Sequence, residues 1–150
     1  ASDIRLAGLH SLIGRRSTLK GVYRRVVDYA LAKRSRLAEV RSGRTSLAQV
    51  CDADTYLLRA AQFHGVPTDD SCPICRKEQV THVSWVFGEH LGRAHGSART
   101  PREISTLEST AQEFTVHVVE VCRTCHWNHL IRSYVAGLAP AAIPRRRAAK

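Results

Sequence analysis

The sequence predicts an α+β fold in which about three N-terminal basic helices precede a three-stranded antiparallel ribbon with a helical insertion. Three observations lead to this prediction. Apolar residues recur at helical spacing in residues 18–65, β-branched and aromatic residues dominate three later segments, and two C-x-x-C pairs stand at the ends of those segments. With 150 residues and 43% hydrophobic content, the chain is long enough for one ordinary domain or two small ones.

The N-terminal helices are predicted from apolar periodicity and from end signals. The first is long and basic: apolar positions recur from Leu19, and the helix is expected to end near Ser42-Gly43, where glycine can adopt the left-handed capping conformation. A capping box at residues 46–49 (SLAQ) predicts a short second helix. Asp54 is expected to cap a third helix, TYLLRAAQFH, which Gly65 ends. Three helices with tight turns also fit a helix-turn-helix, although any small helical bundle shows the same pattern.

Three strands are predicted after the segment VPTDDS, at residues 81–87 (THVSWVF), 114–121 (FTVHVVEV) and 130–135 (LIRSYV), because β-branched and aromatic residues are enriched there. Between the first two strands, Thr100 and Glu103 form a capping box with Pro101 at the first helical position. This signature predicts an inserted helix at about residues 101–113.

Two cysteine pairs, Cys72/Cys75 and Cys122/Cys125, have the spacing of zinc ligands. A C-x-x-C turn places two thiolates on one side of a metal, and zinc takes four ligands in a tetrahedron. The 46 residues between Cys75 and Cys122 exceed the familiar spacing of about 15–20, and the predicted insertion of residues 88–113 accounts for the excess. We therefore expect a zinc ribbon with one structural Zn²⁺, whose four thiolate ligands leave no open position for catalysis.

Other uses of the same cysteines stay open. The string CRTCH fits the attachment pattern of c-type haem, but that reading leaves the first C-x-x-C pair unexplained. A redox dithiol of the thioredoxin kind would need a βαβ setting, which the pattern does not show. An iron–sulfur cluster is the strongest rival, because sequence does not distinguish iron from zinc in a cage of four thiolates. His126 and His129 are expected to be bystanders, and Cys51 a small buried apolar residue.

The formal net charge of +10 is unevenly distributed. Residues 1–65 hold 12 Lys/Arg against 5 Asp/Glu, residues 66–138 hold 7 against 8, and residues 139–150 hold 4 against none. Arginine makes up 19 of the 23 basic residues, which favours bidentate contacts with phosphate over a merely soluble surface or an acidic protein partner. The candidate nucleic-acid-binding residues are Arg15, Arg16, Lys20, Arg24, Arg25, Lys33, Arg34, Arg36, Arg145, Arg146, Arg147 and Lys150.

The predicted organisation is a basic arm at residues 1–17, a helical region at 18–65, a zinc-ribbon domain at 66–138 and a basic tail at 139–150. No apolar run approaches the roughly 18 residues of a membrane span, and the first residues lack the features of a secretory signal. No catalytic constellation stands out. We therefore expect a cytoplasmic protein without membrane contact, small-molecule substrate or enzymatic activity.

A family resemblance is carried by VVDYALAKRSRLAEVRSGRTSLAQVCDADTYLLRAAQFHG, CPICRKEQVTHVSWVFGEHLG and VVEVCRTCHWNHLIRSYV. Across residues 20–137, the chain resembles a small actinobacterial family of unknown function, with the two C-x-x-C pairs and the WNHL-RSY segment as the most specific parts. The resemblance implies a cytoplasmic actinobacterial protein with a zinc-ribbon-like module. It implies no activity.

The function expected from these features is binding. The first hypothesis is an RNA-binding, ribosome-associated protein, either component or factor, whose arginine-rich arms neutralise rRNA phosphates. The alternative is a transcription factor that binds RNA polymerase through the ribbon and DNA through the basic helices. A metal-dependent or redox enzyme is disfavoured, because four cysteine ligands close the coordination sphere.

Overall fold

The structure of the chain, a computed structural model, describes residues 23–140. None of the helices in this range is long and apolar enough to cross a lipid bilayer. A 3₁₀-helical segment at Glu89–Ala94 lies between the third and fourth strands. The other elements, in chain order, are β1 (Arg24–Asp28), α1 (Ala30–Arg41), α2 (Leu47–Val50), α3 (Thr55–His64), β2 (Val66–Ser71), β3 (Gln79–Phe87), β4 (Ser97–Arg99), α4 (Pro101–Thr110), β5 (Phe114–Val121) and β6 (Asn128–Ala136).

The described strands form one six-stranded antiparallel sheet in the order β1-β6-β5-β3-β2, with β4 also paired to β3. Strand β5 runs along one edge of β3, while β2 and β4 share the other edge, β2 along the first half and β4 along the second. The prediction of N-terminal helices followed by a three-stranded ribbon is therefore wrong. The three predicted strands are the centre of a wider sheet, and one further strand, β1, precedes the helices.

Strand β1 replaces the first part of the predicted basic helix. Its residues RRVVD pair with β6, with Val27 opposite Ser133, although Val26 and Val27 remain 56% and 45% exposed. Two adjacent valines favour extended backbone, and the otherwise free edge of β6 pairs with the N–H and C=O groups of this strand. Helix α1 begins only at Ala30. It ends at Arg41, close to the predicted end, with Gly43 in the left-handed region at φ 78°.

The helices predicted from local capping signals are confirmed. Helix α2 begins with the capping box at Ser46. Helix α3 is capped by Asp54, whose carboxylate accepts a hydrogen bond of 2.8 Å from the Leu57 N–H. Helix α4 is capped by Thr100, whose hydroxyl accepts from the Glu103 N–H at 3.2 Å. These signals succeed because donor and acceptor are three residues apart and need no tertiary partner.

The strands predicted at residues 81–87, 114–121 and 130–135 are present as β3, β5 and β6. Strand β2 was not predicted, because VPTDDS contains a proline and two aspartates. Such residues are tolerated there because β2 is an exposed edge strand. The predicted insertion at residues 88–113 contains the 3₁₀ segment, α4 and also β4, a strand of three residues. Part of that insertion therefore belongs to the sheet.

The helices cover both faces of the sheet. Val86 of β3 packs with Ile104 of α4, whereas Val83, on the opposite face of the same strand, packs with Ala60 and Ala61 of α3. Helix α1 lies on the same face as α4 and contacts β6. A third apolar cluster joins α1, α2 and the cysteine turns at one end of the sheet. The segment from α1 to α3 therefore passes around that end from one face to the other.

Candidate metal centre

The sheet topology brings the two C-x-x-C turns together. The first turn connects β2 to β3 and the second connects β5 to β6, so both are turns of antiparallel hairpins. Because β3 and β5 are antiparallel, with Thr81 opposite Val121, the beginning of β3 lies beside the end of β5. The chain leaves the first turn along β3, continues through residues 88–113 and returns along β5 to the second turn. The two turns are therefore far apart in sequence but adjacent in the sheet.

The four cysteine sulfurs lie at separations that suit one tetrahedral ion. The Sγ atoms of Cys72 and Cys125 are 3.5 Å apart, those of Cys75 and Cys122 are 3.7 Å apart, and all four lie within 4.8 Å of one another. Four sulfurs about 2.3 Å from a shared ion would be about 3.8 Å apart in a regular tetrahedron. These residues therefore fit a single metal ion. A polynuclear cluster would place several iron and sulfide ions between the ligands and would need wider spacing.

The two turns have matching backbone geometry. The N–H of Arg76 donates to the Cys72 carbonyl at 3.1 Å, and the N–H of His126 donates to the Cys122 carbonyl at 2.9 Å. Both donors have left-handed backbone, with φ of 58° and 69°, a conformation that costs a residue other than glycine roughly 1–2 kcal/mol. The N–H of Ile74 points at Cys72 Sγ at 3.4 Å. Amides directed at sulfur stabilise thiolates, as metal ligation requires.

Burial raises the pKa of the cysteine thiols, whereas hydrogen bonds from backbone amides lower it. Burial raises the pKa of Cys72, and it raises the pKa of Cys122 and of Cys125 to about 11. The N–H of Lys77 lowers the pKa of Cys75 to about 7. Because metal ligation requires thiolates, binding of a cation here displaces protons from the sulfurs.

Cys51 is a fifth thiol beside this cluster. It follows α2, and its Sγ lies 4.0 Å from Cys125 Sγ, although it is not in the group of four whose sulfurs are mutually close. It is partly rather than fully buried, and burial raises its pKa. The expectation that Cys51 is simply a small buried apolar residue is therefore incomplete, because its thiol lies next to the four clustered cysteines.

The two histidines near the second turn lie outside the group of clustered ligand atoms in the described part of the chain. The side chain of His126 is exposed, and its carbonyl accepts a hydrogen bond of 3.1 Å from the Ala53 N–H. The His129 ring stacks on Trp127 with centroids 5.8 Å apart. That both histidines are bystanders to a metal ion stays a prediction.

A buried ion pair lies next to the second cysteine turn and is hydrogen-bonded to Trp127. Trp127 is fully buried, and its Nε1–H donates to Glu120 Oε1 at 2.9 Å. The same carboxylate oxygen lies 2.7 Å from Lys33 Nζ, and the side chains of Glu120 and Lys33 are 3% and 28% exposed. Lys33 therefore neutralises a buried carboxylate and anchors α1 on the sheet.

Most of the other candidate phosphate-binding residues in the described range also pair with acids. Arg24 Nη2 lies 2.9 Å from Glu113 Oε1, and Arg25, on the same strand, lies 3.5 Å from the other oxygen of that carboxylate. Arg36 pairs with Glu39 at 3.2 Å. Arg34 is exposed and makes no ion pair with the described residues. Arg15, Arg16, Lys20, Arg145, Arg146, Arg147 and Lys150 lie outside the described residues.

The aromatic residues divide between core and surface. Trp127 and Tyr134 are buried, whereas Trp85 is partly exposed. Two aromatic residues of α3, Tyr56 and Phe63, are 64% and 65% exposed, and sequence reasoning did not single them out. Aromatic residues on a helix usually suggest its buried side. Their spacing of seven residues, with Arg59 between them, could have indicated a common exposed face.

Comparisons with known proteins supply relatives without a described activity. Residues 21–150 match the family described as "Family of unknown function (DUF5318)". An uncharacterised protein of Mycobacterium tuberculosis is 64% identical over 120 residues, which cover 80% of this chain and 88% of that protein. An uncharacterised protein of Mycobacterium bovis matches to the same extent. No solved structure matches the chain. The expected likeness to an actinobacterial family of unknown function is confirmed, whereas its zinc-ribbon character is not a finding of these comparisons.

Proposed function

The chain belongs to the family of unknown function DUF5318, and we propose that it is a non-enzymatic nucleic-acid-binding protein stabilised by one structural metal ion. The observation that carries the metal is the group of four cysteine sulfurs, paired at 3.5 and 3.7 Å across two matched hairpin turns. Four thiolates fill a tetrahedral coordination sphere and leave no position for water or substrate. The ion therefore holds two hairpins together and performs no chemistry.

The proposed ion is Zn²⁺. Zinc favours four thiolates in a tetrahedron, and a single iron ion in the same cage is the alternative outcome of metal analysis. A divalent ion with four thiolates carries a net charge of −2. Arg76, Lys77 and Arg123 stand within or directly after the two cysteine pairs, where positive charge favours such a dianionic centre.

Metal analysis of two cysteine variants tests this proposal. The unsubstituted chain and Cys51→Ser should each retain one equivalent of zinc, because Cys51 lies beside the cage. Cys122→Ser should lose the metal and a few kcal/mol or more of stability, because one of four ligands is removed. The readouts are elemental analysis of the purified proteins and thermal unfolding followed by circular dichroism. Iron in the unsubstituted chain, or a well-folded chain without metal, would overturn the zinc assignment.

The distribution of charge supports the nucleic-acid part of the proposal. Residues 23–140 hold 15 Lys/Arg against 12 Asp/Glu, so residues 1–22 and 141–150 hold 8 of the 23 basic residues and 1 of the 13 acidic residues. Paired cations among the described residues, such as Arg24 with Glu113, are poorly available to phosphate. The terminal segments, rather than the basic helix of the sequence hypothesis, are therefore the proposed electrostatic contacts.

The proposed host is the ribosome, with rRNA as the nucleic acid. A metal-stabilised fold with basic terminal segments suits binding between RNA segments, where phosphate contacts supply most of the affinity. Sedimentation of a lysate through a sucrose gradient tests this assignment. The chain should migrate with ribosomal particles in moderate salt and leave them after ribonuclease treatment. Absence from the particles, together with copurification of RNA polymerase subunits, would replace this host with the transcription machinery.

A further inference from the structure

A groove lies between α3 and the β3–β4 pair, on the face of the sheet opposite α1 and α4. Its volume is about 440 Å³, within the range of roughly 300–1,000 Å³ typical of small-ligand sites. The residues that distinguish it are aromatic or basic. They are Tyr56, Arg59, Phe63, His64, Trp85 and Arg99.

Two aromatic residues of the groove lie largely outside the core, whereas the third, Trp85, packs against it. Tyr56 and Phe63 are 64% and 65% exposed, because α3 packs on the sheet through the small side chains of Ala60 and Ala61. The ring of Tyr56 lies 5.5 Å from that of Trp85, at an interplanar angle of 38°. Exposed aromatic rings at one place on a surface are characteristic of a binding site.

The aromatic surface continues along the sheet beyond the groove. Phe87 lies two residues after Trp85 and therefore on the same face of β3, and it is 38% exposed. Its ring lies 5.1 Å from that of His117, the residue opposite Trp85 on β5. A row of aromatic rings across a sheet can stack several successive bases.

The groove contains one arginine that is free to bind an anion. Arg59 is exposed and makes no ion pair with the described residues, and no carboxylate belongs to the groove lining there. The side chain of Arg99 is held in place by Ser97 Oγ at 2.8 Å and by Glu103 Oε2 at 3.0 Å. Flat rings beside a free guanidinium match a ligand that combines a planar base with an anion.

We propose that this groove binds an unpaired nucleotide of single-stranded RNA, with the base stacked on the Tyr56–Trp85 pair and a phosphate on Arg59. This inference rests on the proposed nucleic-acid function and gives it a site separate from the basic terminal segments. The terminal segments supply charge without selectivity, whereas the groove selects unpaired over paired RNA, because only an unpaired base can enter it.

Fluorescence anisotropy tests the site, with the full chain and a labelled single-stranded RNA of about a dozen nucleotides, a length within the usual range for such sites. Tyr56→Ala should weaken binding about five- to a hundredfold, the usual effect of losing one stacking partner, and Phe63→Ala should weaken it to a smaller extent, because Phe63 lines the groove without belonging to the stacking pair. Leu31→Ala is the matched control, because Leu31 is 75% exposed on α1, on the other face of the sheet. It should bind as the unsubstituted chain does.

A second pair of variants tests the phosphate contact. Arg59→Gln should weaken binding and lower the slope of log affinity against log salt by about 0.7, the value for one phosphate of a single strand. Arg34→Gln replaces an exposed arginine outside the groove. It should change both the affinity and the salt slope less than Arg59→Gln does. Binding of a duplex of the same sequence should be weaker and should not respond to Tyr56→Ala.

The possible failures are distinguishable. If the unsubstituted chain binds single-stranded RNA and the Tyr56, Phe63 and Arg59 variants bind it equally well, the groove assignment is wrong and the proposed function stands. If the unsubstituted chain binds no RNA in low salt, the proposed RNA function is wrong together with the groove. Equal loss of affinity in Leu31→Ala and Tyr56→Ala would also overturn the groove assignment.

Discussion

Replacement of Lys33 by methionine should destabilise the fold, whereas the same replacement of the neighbouring Arg34 should not. Sequence reasoning assigned both residues to phosphate binding. In the structure, Lys33 Nζ lies 2.7 Å from Glu120 Oε1, and the Glu120 side chain is only 3% exposed. Methionine keeps the length of the lysine stem but removes its charge. The buried carboxylate then retains one described hydrogen-bond donor, Trp127 Nε1, at 2.9 Å.

The expected loss can be estimated from these contacts. Removal of one partner from a fully buried ion pair costs about 3–5 kcal/mol, because the remaining charge stays buried and unpaired. The Lys33 side chain is 28% exposed, so water can replace part of the lost interaction, and about 2–4 kcal/mol is expected. For a domain of this size, the loss corresponds to a fall in melting temperature on the order of 10 °C. Arg34 is exposed and unpaired among the described residues, and Arg34→Met should stay within about 0.5 kcal/mol.

The assay is urea and thermal unfolding followed by circular dichroism, with zinc held at the same excess in all samples. The double variant Lys33→Met/Glu120→Gln should recover much of the stability, because a neutral amide oxygen can still accept from Trp127 and no buried charge remains unpaired. Equal, small changes in Lys33→Met and Arg34→Met would refute the argument. The ion pair would then be dispensable, and Lys33 would be available for phosphate.

Three further predictions concern the tail, the second turn and one histidine. Removal of residues 141–150, which hold 4 Lys/Arg, should lower the salt slope of single-strand RNA binding by up to about 3, and an unchanged slope would exclude these cations from phosphate contact. The backbone of His126 is left-handed, with φ of 69°, a conformation that glycine adopts without strain and valine does not. His126→Gly should therefore retain the metal and match or exceed the parent stability by up to about 1 kcal/mol, while His126→Val should be destabilised. Metal loss in the glycine variant would identify His126 as a ligand. Burial lowers the pKa of His82 below its usual 6.5. Protonation therefore favours the unfolded chain, and the fold loses stability as pH falls from about 6.5 towards the lower folded pKa. Unfolding free energies measured across this range should fall less in His82→Gln than in the parent, and equal falls would contradict the assignment.

The successful sequence predictions depend on groups that are close along the chain. Asp54 and Thr100 cap their helices through amides three residues away, and β5 is rich in the β-branched residues on which its prediction rested. The spacing within each C-x-x-C pair is also local, so the four cysteines that cluster in the structure could be predicted from the sequence. Each of these features would look the same in many different folds.

The incorrect predictions concern residues whose partners are distant in sequence. Strand β1 forms because β6 offers it a free edge, and β2 tolerates proline and aspartate because it lies at the other edge. Arg24 pairs with Glu113, and Lys33 with Glu120, across separations that no pattern of spacing reveals. The sequence pattern could not show that Arg24 and Lys33 are neutralised by carboxylates of β5 and of the segment just before it, and phosphate binding by the basic helix stays a prediction.

The sequence by itself determined the chemical inventory of this protein: two thiolate pairs, an excess of arginine and the helices with local caps. The tertiary structure decided which of these residues become neighbours and which stay exposed. Antiparallel pairing of β3 with β5 brings the two cysteine turns to one end of the sheet, where Cys51 also lies. Packing of α3 through its alanines leaves Tyr56 and Phe63 exposed beside Trp85. The physical reason is that capping and ligand spacing are local, whereas ion pairing and exposure depend on which distant strands and helices become neighbours.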